Sequence, residues 1–471
     1  MRILLDQAVY DQRNKGNVAL LQAAIARLSE LWPGSTIQVL TEAPHLLKLY
    51  CPNVHPVSVH PSKDWSQKQT QIHKLHRFIP PVSWQLAFEL RDEAKHRRTH
   101  FAASRFERVS PHETAVNANQ QLNEGTAEQR IQAAQEIAQA EENNRDLMQA
   151  IEKADLIVAT GGGYLCDADK EHTPQVFETL EMAVRLDKPA AMVGQGVGPL
   201  DDPDLRARLG KLLPKLDLIL IREPKLAYPL LESLGVARER VIMTGDDAIE
   251  MAFNARSARM GDCIGVNLRA ARYTQVDQKY IDKVRPALHQ AARNYGATLL
   301  ALPISVHPQE DDLGVIRQLL SGYDKVSIDW QRFDLPLNVI KKTALCRLVV
   351  TGSFHPAVFA LAQGIPVVGL VKSIAYKNKF GALRDEFGSA CQLIDLDDEY
   401  LGDKLAAAID TAWTSARGVR PQLLQAAIRQ IEWGRAGYRK LFDLVLEKKA
   451  ARPNGSAAVM TMPKPAWATL E

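Results

Sequence analysis

Long apolar runs are missing from this chain of 471 residues: no stretch approaches the roughly 18 consecutive apolar residues that span a bilayer, so no membrane-spanning segment is expected. Cysteine is scarce. The five present, at positions 51, 166, 263, 346 and 391, are odd in number and far apart, with no C-x-x-C pair, which argues against a disulfide framework or a cysteine zinc site and fits a reducing compartment. An excess of one charge is lacking as well, because 58 Lys and Arg stand against 55 Asp and Glu, and a net charge of +3 gives no electrostatic footprint for nucleic acid. The apolar stretch near the start ends at Asp6 after three residues, far short of a signal-peptide core. The chain is therefore expected in the cytoplasm, with peripheral membrane contact left open.

What is present is an alternation. Short apolar runs take turns with longer stretches of helical period, which is the pattern of parallel strands joined by crossover helices in an α/β protein. The first half gives strands at 2–5, 36–40, 155–160, 190–196, 216–221 and 241–245; the second gives 263–268, 298–304, 325–329, 347–352, 366–371 and 391–396. The chain is too long for one ordinary core. The polar stretch "FNARSARMGD" at 253–262 separates the two series, so two Rossmann-like domains, 1–255 and 262–415, are expected to face each other across a cleft. Between about 61 and 152 the rhythm fails in a Gln-, Ala- and Glu-rich stretch read as a helical insertion, either a solvated surface or an acceptor platform or dimer contact. A helix over 420–450 and a disordered tail over 451–471 close the chain. A homo-oligomer is left open.

In open α/β sheets, ligands bind beyond the carboxyl ends of the strands. "ATGGGYLCD" puts Gly161, Gly162 and Gly163 after one strand, where backbone N–H groups can approach an anion that a Cβ would hold off; a plain tight turn fits equally well. "VGQGVGPL" does the same around Gly196, but its glycine spacing departs from the dinucleotide fingerprint, which disfavours a nicotinamide or flavin. Arg222, Arg269 and His307 each follow a strand, His307 together with the acidic pair Asp311 and Asp312. Each alone is bland: an arginine in an ion pair, a solvated histidine, an acid opening a helix. Their repetition at strand exits is what points to a site. "TGSFHPAVFALAQG" adds Ser353 and His355 just before Pro356, which suits a first helical position, with a short apolar helix behind. The positive end of such a helix is an anion site, and an imidazole beside it can donate to a phosphate or supply a proton.

The segment around His355 resembles the hallmark of the polysaccharide pyruvyl transferase family, and further stretches agree in order: "NKGN" at 14–17, "GGGYLCD", "GQGVGPL", "IREPKLAYPLLESLGV", "TGDDA", "GVNLR", "AQGIPVVGL" and "AYKNKFGALRDEFG". The resemblance spans about residues 1–60 and 155–390. It implies a two-domain glycosyltransferase-B-like fold, phosphoenolpyruvate as donor, a glycan acceptor and a ketal product, with no cofactor and no metal. It also makes Arg222 the cleft arginine, His355 the family histidine and Lys379 the basic residue after the last cleft strand. On this reading His355 is the acid or binds phosphate, Arg222 and Arg269 hold carboxylate and phosphate, and His307 or Asp246 serves as base near the sugar hydroxyl. Two departures stand out: Ser353 occupies the place of an arginine in the family's S-x-R-x-H pattern, and Asn17 replaces an aspartate. Either Arg269, Arg272 or Lys372 then supplies the lost positive charge, or the pocket holds a less charged substrate. A nucleotide-sugar glycosyltransferase, or a non-catalytic anion-binding member of the family, remains the alternative.

Overall fold

The computed structural model describes residues 1–59, 145–169, 173–271, 273–307, 310–331 and 333–451. Most of the expected insertion, the tail from 452 onward and Arg272 lie outside the described residues.

Two parallel sheets form, as the alternating pattern requires. The first contains β1 (Arg2–Asp6), β2 (Thr36–Thr41), β3 (His55–Ser58), β4 (Leu156–Ala159), β5 (Gly162–Leu165), β6 (Ala190–Val197), β7 (Leu218–Ile221) and β8 (Val241–Met243), in the order β3-β2-β1-β4-β6-β7-β8 with β5 added against β6. The second contains β9 (Cys263–Asn267), β10 (Leu299–Ala301), β11 (Val326–Ser327), β12 (Cys346–Thr351), β13 (Val367–Val371) and β14 (Cys391–Asp395), ordered β11-β10-β9-β12-β13-β14. Both central regions are covered by helices on two faces, so strands such as "LIVA" of β4 and "VVGLV" of β13 are buried along their whole length.

Two strands differ from expectation. β3 carries His55 and Pro56, which obscure an edge strand, and β5 arises from the glycine stretch that reads as a turn. β5 is held by its pairing to β6, Gly162 opposite Gln195 and Leu165 opposite Val197, so tertiary pairing overrides a weak local preference.

Chain order reverses direction in each sheet between neighbouring strands, β1 and β4 in the first and β9 and β12 in the second. These switch points open a crevice at the strand carboxyl ends. The loop after β1 reaches across to the second domain: Lys15 N donates to Ile304 O (3.0 Å), Val306 N donates to Arg13 O (3.0 Å), and Asn14 bridges to Ser305. Behind this contact the halves share apolar packing, with Ala19, Leu20 and Ile249 in one buried cluster with Leu302, Ile304 and Phe359.

A single helix, Leu401–Ala450, runs through the division expected near 415–420. Its first part seats Leu405, Ile409 and Ala412 on the second domain; its last turns seat Tyr438, Leu441 and Phe442 on the first. At about 1.5 Å per residue, these 50 residues span about 75 Å, long enough to clasp both halves. No helix among the described residues is long and apolar enough to cross a membrane.

Candidate active site at the strand exits

Arg222 leaves the end of β7 and turns into the crevice, where only 3% of it is exposed. Its Nε donates to Glu223 Oε2 at 3.0 Å and its Nη1 to Asp246 Oδ2 at 3.3 Å, while its Cζ lies 4.4 Å from the centre of the Phe354 ring. The pair with Glu223 is thus buried. Asp246 is committed twice, because its Oδ1 also accepts from Ala248 N at 3.0 Å. The adjacent Asp247 faces elsewhere and accepts from Arg27 Nη1 (2.6 Å) and the Tyr438 hydroxyl (2.9 Å), so "TGDDA" divides its acids between the site and a buried lock on the long helix.

Glycine supplies the room for this arginine. A methyl at Gly196 would lie 2.5 Å from Arg222 Nη2, and one at Gly163 would lie 2.6 Å from Lys379 Nζ and 3.0 Å from Arg222 Nη2. The two glycine stretches therefore admit cationic side chains from both domains. Lys379 comes from the helix Ile374–Phe387 after β13, crosses to the first domain and donates from Nζ to Gly163 O at 3.4 Å.

His355 is 9% exposed, with the Phe354 ring edge-on at 5.7 Å and Phe359 at 6.0 Å. The cap of its helix, Phe354–Ala362, falls at Ser353, so Pro356 takes the third helical position, where a backbone N–H still has no partner within the helix and its absence costs nothing. Ser353 Oγ and His355 Nε2 are both buried without a hydrogen-bond partner. Burial pushes the imidazole pKa down to about 4, Asp246 opposing and Arg222, Arg269 and Lys379 adding to the shift. At neutral pH His355 is uncharged.

Arg269 is spoken for. It donates to both oxygens of Asp312, at 2.8 and 3.0 Å, and that carboxylate also accepts from Asn267 and from the backbone N–H groups of Ile304 and Ser305. Burial alone would raise the Asp312 pKa; Arg269 and these N–H donors outweigh it and hold the carboxyl below its ordinary value. Arg269→Ala strands a buried carboxylate and is expected to lower the unfolding free energy by about 3–5 kcal/mol, read from urea denaturation at pH 7. His307, 22% exposed at its side chain, lies 3.7 Å from Asp11 across the domain boundary. Lys372 pairs with Asp397 and Tyr280, so it does not replace the arginine missing before His355.

The structure therefore brings together Arg222, Asp246, Ser353, His355, Lys379, Gly163 and Gly196, and ties Arg269 and His307 into neighbouring contacts. Gly161 packs against the Gly194 backbone, and Gly162 against Tyr164. Sequence reasoning missed Glu386, which joins Arg222, Glu223, Asp246, Phe354, Ala382 and Leu383 around a cavity of about 10 Å³. Its signal was the helical spacing from Lys379 through Leu383 to Glu386, which places all three on one face.

Two parallel-sheet domains with a crevice between their strand ends and a helix clasping both define a glycosyltransferase-B-type fold. Solved structures agree: a glycosyltransferase from Rickettsia africae aligns with a TM-score of 0.52 at 10% identity over 95% of this chain and 98% of that one. Anabaena Alr3699/HepE in complex with UDP gives 0.51 at 12% identity over 96% and 100%, and Glycyrrhiza uralensis UGT73P12 gives 0.51 at 11% over 96% of each. At such identities the likeness is one of fold. The model of the polysaccharide pyruvyl transferase family matches residues 14–372, and the chain belongs to that family. A search of curated proteins finds no match.

Proposed function

We propose that the protein transfers a pyruvyl group from phosphoenolpyruvate to two hydroxyls of a glycan sugar, closing a ketal and releasing phosphate. The observation that carries this reading, within the family, is the unpaired Ser353 Oγ and His355 Nε2 at the N-terminal end of a buried helix, beside Arg222 and Lys379. The helix end, Ser353 and a neutral His355 suit the phosphate; Arg222 and Lys379 suit the carboxylate. The cavity at Arg222 is smaller than the donor, so binding requires side chains there to exchange partners and the halves to part locally. The proposal includes a cytoplasmic setting, where this donor is made.

His355→Ala is expected to abolish pyruvylation of an acceptor glycan; near-normal turnover would remove His355 from the mechanism. Thermal-shift titration separates the donor classes, since phosphoenolpyruvate should stabilise the protein strongly and nucleotide sugars should not.

The low pKa of His355 also predicts a pH dependence. The unfolded imidazole, near 6.5, takes up a proton that the folded one resists until about pH 4, so stability falls as pH drops through this window, by about 3 kcal/mol in all. His355→Gln should flatten that slope in denaturation curves collected from pH 7 to pH 4.

A further inference from the structure

Glu386 is a carboxyl group that the donor-binding reading leaves unused. It extends from the helix Ile374–Phe387 of the second domain into the cavity formed with Arg222, Asp246 and Phe354, and its Oε1 is sealed from solvent without a hydrogen-bond partner. Three carboxyl groups meet there around one guanidinium. Two of them, Glu223 and Asp246, occupy Arg222. Glu386 has no ion pair with that arginine, and its surroundings add Glu223, Asp246 and Asp385 as like charges against Arg222 alone. A carboxylate in that position is opposed by burial first and by those acids second, which push its pKa well above its ordinary value. His355 has the opposite character, held neutral with no proton to spare.

Resting on the pyruvyl-transfer reading, we propose that Glu386 is the general acid of the reaction, the group that protonates the methylene carbon of the enolpyruvyl donor. The donor π pair takes the Glu386 proton to form the new C–H bond and turn methylene into methyl. The oxygen of the first sugar hydroxyl bonds to the adjacent carbon, and its proton restores Glu386. The second hydroxyl oxygen then bonds to the same carbon as the C–O bond to phosphate breaks, and its proton leaves with inorganic phosphate. Arg222, whose charge faces the same cavity, steadies the electron-poor carbon's carboxylate. The enclosed proton serves catalysis because an acid must arrive protonated at the working pH.

The test compares wild type, Glu386→Gln and Glu386→Asp in pyruvylation of an acceptor glycan across pH 6 to 10, with the thermal shift produced by phosphoenolpyruvate measured on each. Glu386→Gln should keep the donor-induced shift and lose about 10²- to 10⁴-fold in kcat. Glu386→Asp should recover part of that loss, with the alkaline fall in kcat that accompanies deprotonation moved to lower pH. Wild-type-like turnover in Glu386→Gln overturns the assignment, as does a parallel loss of donor binding in both variants, which would mark a structural role. A wild type that transfers no pyruvyl group at all sinks the underlying reading too, whereas an active wild type with an equally active Glu386→Gln sinks this inference alone.

Discussion

Arg222→Ala is expected to lower the unfolding free energy by about 3–5 kcal/mol and to reduce pyruvyl transfer by about 10³-fold. The first effect follows from burial. Glu223 and Asp246 are 7% and 4% exposed, and removing the guanidinium leaves both without their cation. The penalty is that of an unpaired buried charge, so it should shrink on acidification: Glu223, whose pKa burial already raises, accepts a proton once its partner is gone. Urea denaturation of wild type and variant at pH 8 and pH 5 checks this, with the larger difference expected at pH 8. Arg222→Lys should not rescue, because one ammonium cannot reach two carboxylates from one planar fork or stack on Phe354. The catalytic loss is read separately from turnover under native conditions.

Gly16→Ala is the second large effect, and it acts through His355. The first turn of the helix Lys15–Leu31 lies against the imidazole so closely that a methyl on Gly16 would collide with ring atoms, with Cε1 only 2.6 Å away and Nδ1 and Cγ closer still. The backbone on one side is pinned to the second domain by the Lys15 to Ile304 hydrogen bond, and the ring is wedged between Phe354 and Phe359 on the other. Neither can yield cheaply, and overpacking of this kind costs about 1–3 kcal/mol, with activity lost because the imidazole is displaced. Gly16→Ala/His355→Ala should regain most of the stability and none of the activity. Thermal melts of the two single variants and the double variant measure the coupling; additive losses would mean that the two residues are not in contact.

The same pair shows where reading the chain stopped short. "NKGN" and "TGSFHP" each stand out as strand-exit motifs, but nothing in either says that one glycine seats the other's histidine, because the contact joins residues more than 300 positions apart. Arg222 and His355 were legible as candidates because each follows an apolar run in a parallel sheet, where side chains emerge on the ligand-binding edge, whereas Lys379, within the helix Ile374–Phe387, was indicated only by the family resemblance. Whether an emerging cation is free or committed is not a local property. Arg269 stands at an equivalent exit, yet its charge is absorbed by Asp312, which reads in sequence as a helix-opening acid.

Apolar strand runs and helical periods, set by residue identity at short range, determined on their own that this is a two-domain parallel α/β protein whose candidate site residues leave the strand ends. Tertiary structure alone decided that Glu386 shares a cavity with Arg222, that the glycine stretches make room for cations, and that one helix clasps both halves. Those outcomes depend on which distant side chains are brought into the same small volume, where burial and neighbouring charge, rather than residue type, fix protonation and pairing.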